Sequence, residues 1–304
     1  MSTQIERDPA VAAVAEATGV RRRPEPEPAD GGGALNAFSH GFLVLWAVLI
    51  VFPIGWVVLG GFKNNTEITT SAWSWPATFR WENFARAWSK AGIGEYLLNT
   101  VIVLVPSVLL TMLLGAMAAY VLARYEFPGN RALYYMFLAG TMFPVYLALV
   151  PLFFVVRNLG MLNTFQGLIL VYVAYSLPFT VFFLYPFFRA LPQEISEAAE
   201  VDGAGEWRKF FQVMLPMAAP GMASVAIFNF LGLWNQFLLP VALNTKRDNY
   251  VLSQGMASFA SQAGYNVDYG RLFAAVVITV VPVLVVYTIF QRQLQGSVTQ
   301  GTSK

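Results

Sequence analysis

Cysteine is absent from the chain and histidine occurs once, at His40. The first absence excludes disulfides, thiolate metal sites and a cysteine nucleophile; the second excludes every multi-histidine metal motif. Charge is scarce as well. Charged residues make up 12% of 304 positions and hydrophobic residues 57%, with a net charge of +2. Soluble domains carry about 25% charged residues. A chain with half that share cannot cover a globule with hydrated side chains, so its excess apolar surface needs lipid as solvent. The mild net charge also gives no reason to expect nucleic-acid partners. An all-α, multi-pass membrane protein follows.

Further absences narrow the chemistry. There is no HExxH, and the dipeptide Gly-Lys never occurs, so the chain has no phosphate-binding loop of its own. Any ATP-driven work would need hydrolysis on another chain. No Asp, Glu, Lys, Arg or His falls in the middle of a candidate span, which weighs against an ion-coupled carrier. The halves show no similarity of the kind an inverted repeat would leave. His40 lies at the edge of the first span and reads as an interfacial side chain.

What is present is apolar length. A helix crossing about 30 Å of hydrocarbon needs about 20 apolar residues. Six windows qualify, at 40–62, 97–121, 133–156, 167–188, 221–241 and 272–290. Pro144 and Pro151 interrupt the third, which is read as one kinked span because neighbouring helices can re-satisfy a freed carbonyl. Pro106, Pro178, Pro186 and Pro282 fall in other spans. Residues 1–36 are polar, with PEPEP and Gly31–Gly33, and read as a disordered tail without the apolar core of a signal peptide. The membrane body then runs over 37–290, and 291–304 forms a C-terminal tail. Six spans put both termini on one side. With the termini inside, eleven Lys and Arg are cytoplasmic against eight outside, which favours that orientation modestly. Segment 63–95 carries Trp73, Trp75, Trp81 and Trp88. An interfacial aromatic belt accounts for them more simply than sugar stacking.

Segment 189–220 stands out among the loops. Pro192 suits the first turn of a short helix, and Glu194 complements its positive end. Ile195, Ala198, Ala199 and Val201 give that helix a small apolar face, and Gly203 allows a turn. A second helix places Trp207, Phe210, Phe211, Met214 and Leu215 on one stripe, ended by Pro216 and Pro220. The first helix carries Glu194, Glu197, Glu200 and Asp202 with no basic residue. Helices lying on a membrane surface usually present Lys and Arg instead. A protein groove is the better partner for this one.

The spacing Glu197-Ala198-Ala199, three residues, Gly203, nine residues, Val213, one residue, Leu215-Pro216 resembles the EAA signature of ABC importer permeases. Val213 in place of Ile is the one departure. The resemblance extends over nearly all of the chain beyond the tail and is strongest to the carbohydrate-uptake, maltose-type second permease subunit. Asn99-Thr100, Ala123-Arg124, Asn158 through Thr164, Leu191-Pro192, Trp234-Asn235-Gln236-Phe237 and the closing Gln291-Arg292 carry it.

The resemblance implies the type I ABC importer permease fold with both termini cytoplasmic. It implies three kinds of protein partner: a second homologous permease subunit, a cytoplasmic ATPase pair that holds ATP and Mg, and an extracytoplasmic sugar-binding protein. No cofactor is expected on this chain itself. Glu197, Ala198, Ala199, Asp202, Gly203, Trp207, Phe210, Leu215 and Pro216 would form the ATPase-docking surface, Glu197 pairing with an arginine of the partner. Within the 242–270 loop, Ser253, Gln254, Gly255, Met256, Ala257 and Ser258 would meet the binding protein. The tail from Gln291 would reach toward the ATPase interface. Asn229, Asn235 and Gln236 are candidate pathway groups, with interhelical hydrogen bonding an equal alternative. A permease for a non-sugar solute is the alternative function, because the EAA loop is shared; a secondary carrier is a weaker one.

Overall fold

The computed structural model describes residues 32–262 and 268–300, and all regular structure in them is helical. Residues up to Ile54 belong to one unit and those from Gly55 onward to a second. The first helix, α1 (Gly32–Gly60), runs through Pro53 without a break. It begins at Gly32, inside the stretch expected to be a disordered tail. The rest of that stretch, 1–31, lies outside the described residues.

The second unit is organised on two long helices, α4 (Ile93–Arg124) and α7 (Phe165–Ala190). Two short ones, α2 (Asn65–Thr70) and α3 (Glu82–Ser89), precede them. On α4, Ser107, Thr111, Gly115 and Ala119 recur every four residues and are all buried. On α7, Ser176, Thr180, Leu184 and Phe188 do the same. Small residues at this spacing let two backbones approach closely, which is how helices associate in lipid without a hydrophobic driving force. At Gly115 a Cβ would lie 2.4 Å from Thr180 Cγ2. The hydroxyls turn inward to their own helices: Ser107 donates to the Val103 carbonyl at 2.7 Å and Thr180 to that of Ser176 at 2.9 Å.

The expected third span is sharply kinked. It consists of α5 (Asn130–Met142), a 3₁₀ turn at Val145–Ala148 and α6 (Leu149–Asn158), with a 90° bend between the two arms. Pro144 is the cause. A residue before proline is pushed out of the helical region, and Phe143 is extended at φ −74°, ψ 123°. Pro151 falls in the first turn of α6, where its missing N–H costs nothing.

The surface helix of segment 189–220 meets the start of the expected fifth span at a second bend. After α8 (Gln193–Val201), helix α9 (Glu206–Met217) meets α10 (Ala219–Trp234) at a 78° bend. Pro216 and Pro220 flank this bend at Ala218, where they were expected to end a surface helix. Helix α10 has 16 residues, about 24 Å of rise. The window then continues past Asn235–Phe237 into α11 (Leu238–Leu243). Helices α12 (Leu252–Gln262) and α13 (Tyr269–Gln300) complete the unit. Among the described residues four helices are long and apolar enough to cross a membrane, or six spans if each bent pair counts as one.

The unit has two distinct ends. The C-terminal ends of α4 and α7 meet the α8–α9 hairpin, with Arg124 Nη2 donating to the Pro192 carbonyl at 3.0 Å. The opposite end gathers α2, α3, the starts of α4, α7 and α13, and α12.

Replacing Gly115 with leucine drives a side chain into Thr180, and overpacking of this kind costs about 1–3 kcal/mol. Gly115→Leu should therefore lower the thermal aggregation midpoint of the detergent-solubilised protein. An unchanged midpoint would mean that α4 and α7 do not approach at this seam.

Candidate functional site

The hairpin is built by local rules. Pro192 caps α8, and Glu194 in its first turn complements the helix dipole. Gly203 adopts φ +76° and ends the helix, its N–H bonding to the Glu200 carbonyl at 2.9 Å while that of Ala204 bonds to Ala199 at 2.9 Å. A Cβ there would meet nothing within 4 Å, so conformation rather than space asks for glycine.

The expected single stripe on α9 is divided. Lys209–Met214 forms a π-helical segment, whose i→i+5 turn is wider than an α-turn and shifts the faces. Phe210 and Met214 are turned inward, with Phe210 5.1 Å from Tyr120 and 6.4 Å from Phe188 between ring centroids. Trp207 and Phe211 face out and stack on each other at 5.9 Å. Of the residues expected to dock a partner, Glu197, Ala198, Asp202, Gly203, Trp207 and Pro216 are exposed and Leu215 is half-buried. Ala199 and Phe210 are both buried in this chain's own packing, because α8 and α9 lean on the ends of α4 and α7. Val201, 87% exposed, joins the outer face.

Glu197 borders a polar recess of about 820 Å³ shared with Arg124, Arg131 and Arg189. Among the described residues it makes no ion pair within the chain. Its neighbour one turn on, Glu200, is committed. Lys209 is 2% exposed, and its Nζ lies 2.5 Å from Glu200 Oε1 and 2.9 Å from Glu206 Oε1. Tyr125, the residue capping α4, donates its hydroxyl to Glu206 Oε2 and lies with its ring 5.8 Å from Nζ. Burial works against the lysine charge, but the bonds to Glu200 and Glu206 outweigh it and hold its pKa above the ordinary value. The bonds from Tyr125 and Lys209 hold Glu206 below the usual carboxylate range. Burial, then the Glu206 bond, raises the Tyr125 phenol. Lys209 was missed in the sequence. The available signal was a base next to the apolar stripe with an acid three residues before it.

At the opposite end, polar side chains knit the 243–254 loop to its surroundings. Asn163, at φ +58°, accepts through Oδ1 from Thr245 N at 2.6 Å, Thr245 Oγ1 at 2.9 Å and Lys246 N at 3.1 Å. Asn99 donates to the carbonyls of Asp248 at 2.8 Å and Tyr250 at 3.0 Å, while Thr100 Oγ1 accepts from Leu252 N at 2.7 Å. The segments singled out around Asn99-Thr100 and Asn158–Thr164 therefore hold this loop. Lys63, almost fully buried, donates to the carbonyls of Ser71 at 3.2 Å and Ala72 at 2.8 Å, below the exposed Trp73, Trp75, Trp81 and Trp88.

The expected binding-protein contacts divide in the same way. Ser253 donates to the Gln236 carbonyl at 2.7 Å, and Gln254, 5% exposed, donates to that of Asn244 at 2.7 Å. A Cβ on Gly255 would lie 2.0 Å from the Tyr96 ring. Gln254 and Gly255 are thus turned into the bundle, because the segment is the start of helix α12 packed on α4. Ala257 is exposed, and Met256 and Ser258 are half-buried.

Residues 111–300 match the family described as binding-protein-dependent transport system inner membrane component. The chain belongs to this family. The permease is 64% identical over 266 residues to the diacetylchitobiose uptake system permease protein NgcG of Streptomyces coelicolor, covering 88% of each chain. It is 32% identical to the trehalose transport system permease protein SugB of Mycobacterium tuberculosis, covering 85% of this chain and 97% of that one. In fold it is similar to a chain of a bacterial ABC transporter involved in the import of the acidic polysaccharide alginate, with TM-score 0.75, 18% identity, and coverage of 88% of this chain and 99% of that one. The family is one of membrane transport components, not enzymes.

The candidate pathway groups of the permease differ in role. Asn229 on α10 is 5% exposed, donates to Thr180 Oγ1 at 2.8 Å and lies 3.6 Å from Met112 Sδ, tying three helices together. It also borders a cleft of about 940 Å³ beside the α5–α6 elbow, with Thr141, Tyr146, Tyr175 and Ser176 among otherwise apolar walls. Asn235 is exposed and bonds back to the Leu231 carbonyl at 2.8 Å; Gln236 is buried and accepts from Phe237 N at 3.1 Å. Neither borders the cleft.

Asn163→Ala removes the acceptor for both Thr245 and Lys246. One hydrogen bond is worth about 1 kcal/mol, so tryptic cleavage after the exposed Lys246 should speed up about fivefold or more. Cleavage at the native rate would mean that Asn163 does not hold the loop.

Proposed function

We propose that this permease is half of the membrane pathway of an ATP-driven oligosaccharide importer, and that its α8–α9 hairpin docks a separate cytoplasmic ATPase. The carrying observation is the outer face of the hairpin: an unpaired Glu197 beside the exposed apolar side chains of Ala198, Val201, Trp207 and Phe211. An exposed carboxylate ringed by apolar surface suits a protein groove that offers one arginine. With the hairpin cytoplasmic, α5–α6 counts as one span and α10 continued by α11 as another, and both termini lie on the same side. A second, homologous permease closes the pathway along the cleft beside the α5–α6 elbow, where Met142, Phe143, Tyr146, Leu147 and Val150 are all exposed. An extracytoplasmic binding protein meets the opposite end, with Ala257 and the Trp73–Trp88 surface as available contacts. ATP and Mg belong to the ATPase.

The 64% identity to a diacetylchitobiose permease supports a chitin-derived, N-acetylated disaccharide as the substrate class. Uptake of labelled diacetylchitobiose should fall when the gene is deleted and return with the wild-type copy. Unaltered uptake in the deletion strain would remove this sugar from the reading.

Glu197→Arg places a cation where the partner's arginine would sit. Breaking a fully buried pair costs about 3–5 kcal/mol, so the variant should insert normally but lose both the co-purifying ATPase and sugar uptake. Normal uptake by this variant would refute the docking role of Glu197.

A further inference from the structure

The chain joins the hairpin to the bundle at both ends, from α7 through Leu191-Pro192 into α8 and from α9 through Ala218 into α10, where it turns by 78°. A junction between two helices at such an angle is where a displacement can be absorbed by a few backbone dihedrals. Side chains tie the two as well, beyond the Arg124 bond to the Pro192 carbonyl. Glu200 sits one turn beyond Glu197 on α8, Lys209 and Glu206 stand on α9, and Tyr125 caps α4. Lys209 Nζ joins the first two acids, and Glu206 passes the connection to the Tyr125 hydroxyl. Tyr125 packs edge-on to Tyr120 at 5.6 Å, and Tyr120 in turn meets Phe188 of α7 at 5.7 Å and Phe210 at 5.1 Å.

We infer that Lys209 is the positioning residue that makes the hairpin one rigid body with the α4–α7 pair, so that a movement imposed at the Glu197 face reaches those helices instead of being absorbed at the Ala218 bend. This inference rests on the reading of the hairpin as the ATPase-docking element. The chemistry selects a single buried cation. Among the described residues no other base pairs with Glu200 or Glu206, and without Lys209 the two carboxylates would repel each other across the hairpin. The π-helical turn that begins at Lys209 points it inward while leaving Trp207 and Phe211 on the docking face. One residue thus separates the surface that is pushed from the tie that passes the push on.

The test uses the whole transporter, purified with its ATPase and second permease and reconstituted in liposomes with the binding protein. The readout is sugar imported per ATP hydrolysed, which a residue needed only for folding would not change. In the complex recovered with Lys209→Met, this ratio should fall on the order of tenfold, within the usual range of coupling between sites. Tyr125→Phe keeps the ring beside Nζ but cuts the bond to Glu206, and should lower the ratio to a smaller extent. The double variant should be no worse than Lys209→Met alone, since both changes interrupt one tie. A native ratio in Lys209→Met overturns the inference. Should that variant fail to assemble, a native ratio in Tyr125→Phe overturns it instead. Failure of the docking reading would be seen separately, as a wild-type complex that never contains the ATPase.

Discussion

Close approach of α4 and α7 along Ser107, Thr111, Gly115 and Ala119 is the contact from which the rest of the second unit is hung. In lipid, apolar side chains gain nothing by leaving their surroundings, so helices must be held by fit and by a few hydrogen bonds. The seam supplies both. Thr180 lies against Gly115 and accepts the amide of Asn229, which brings α10 onto the same pair. Tyr120 and Phe188 continue the seam toward the hairpin, while Asn99 and Thr100 continue α4 into the loop at the other end. One helix pair thus connects the two surfaces at which partners are proposed to act.

The features legible in the sequence were those with local causes. Apolar windows announce themselves by length. The hairpin turn was readable because a left-handed residue calls for glycine, and Gly203 stood at the right distance from Glu197. The bend of the third window was readable in kind, from Pro144, but not in degree. A proline tells that a helix is disturbed; whether neighbours restore a rod or let it turn through a right angle depends on packing that no single window contains.

Other features were hidden for related reasons. Helical periodicity assumes 3.6 residues per turn, so it placed Trp207 and Phe210 on one stripe, and the wider π-turn parts them. Gln254 and Gly255 looked like members of a surface loop, yet they open a helix whose close approach to Tyr96 is a matter of tertiary contact. Lys209 was hardest to see. Its two acids lie three and nine residues away, and only the folded hairpin brings Glu200 within reach of it. Charge pairing across a turn becomes visible only after the turn has been built.

The right-angle elbow at Phe143–Ala148 carries a consequence for how the subunit exists in a cell. Hydrocarbon tolerates no irregular backbone; such a stretch at membrane depth must be covered by protein or face water. Each arm of the elbow, 13 and 10 residues, is about 20 Å or less and does not cross the bilayer alone. A copy of this chain without a neighbour against the cleft would therefore expose carbonyls and amides that lipid cannot solvate. Under the proposed pairing with a second permease, the neighbour that closes the cleft would also be what lets Pro144 stand at that depth.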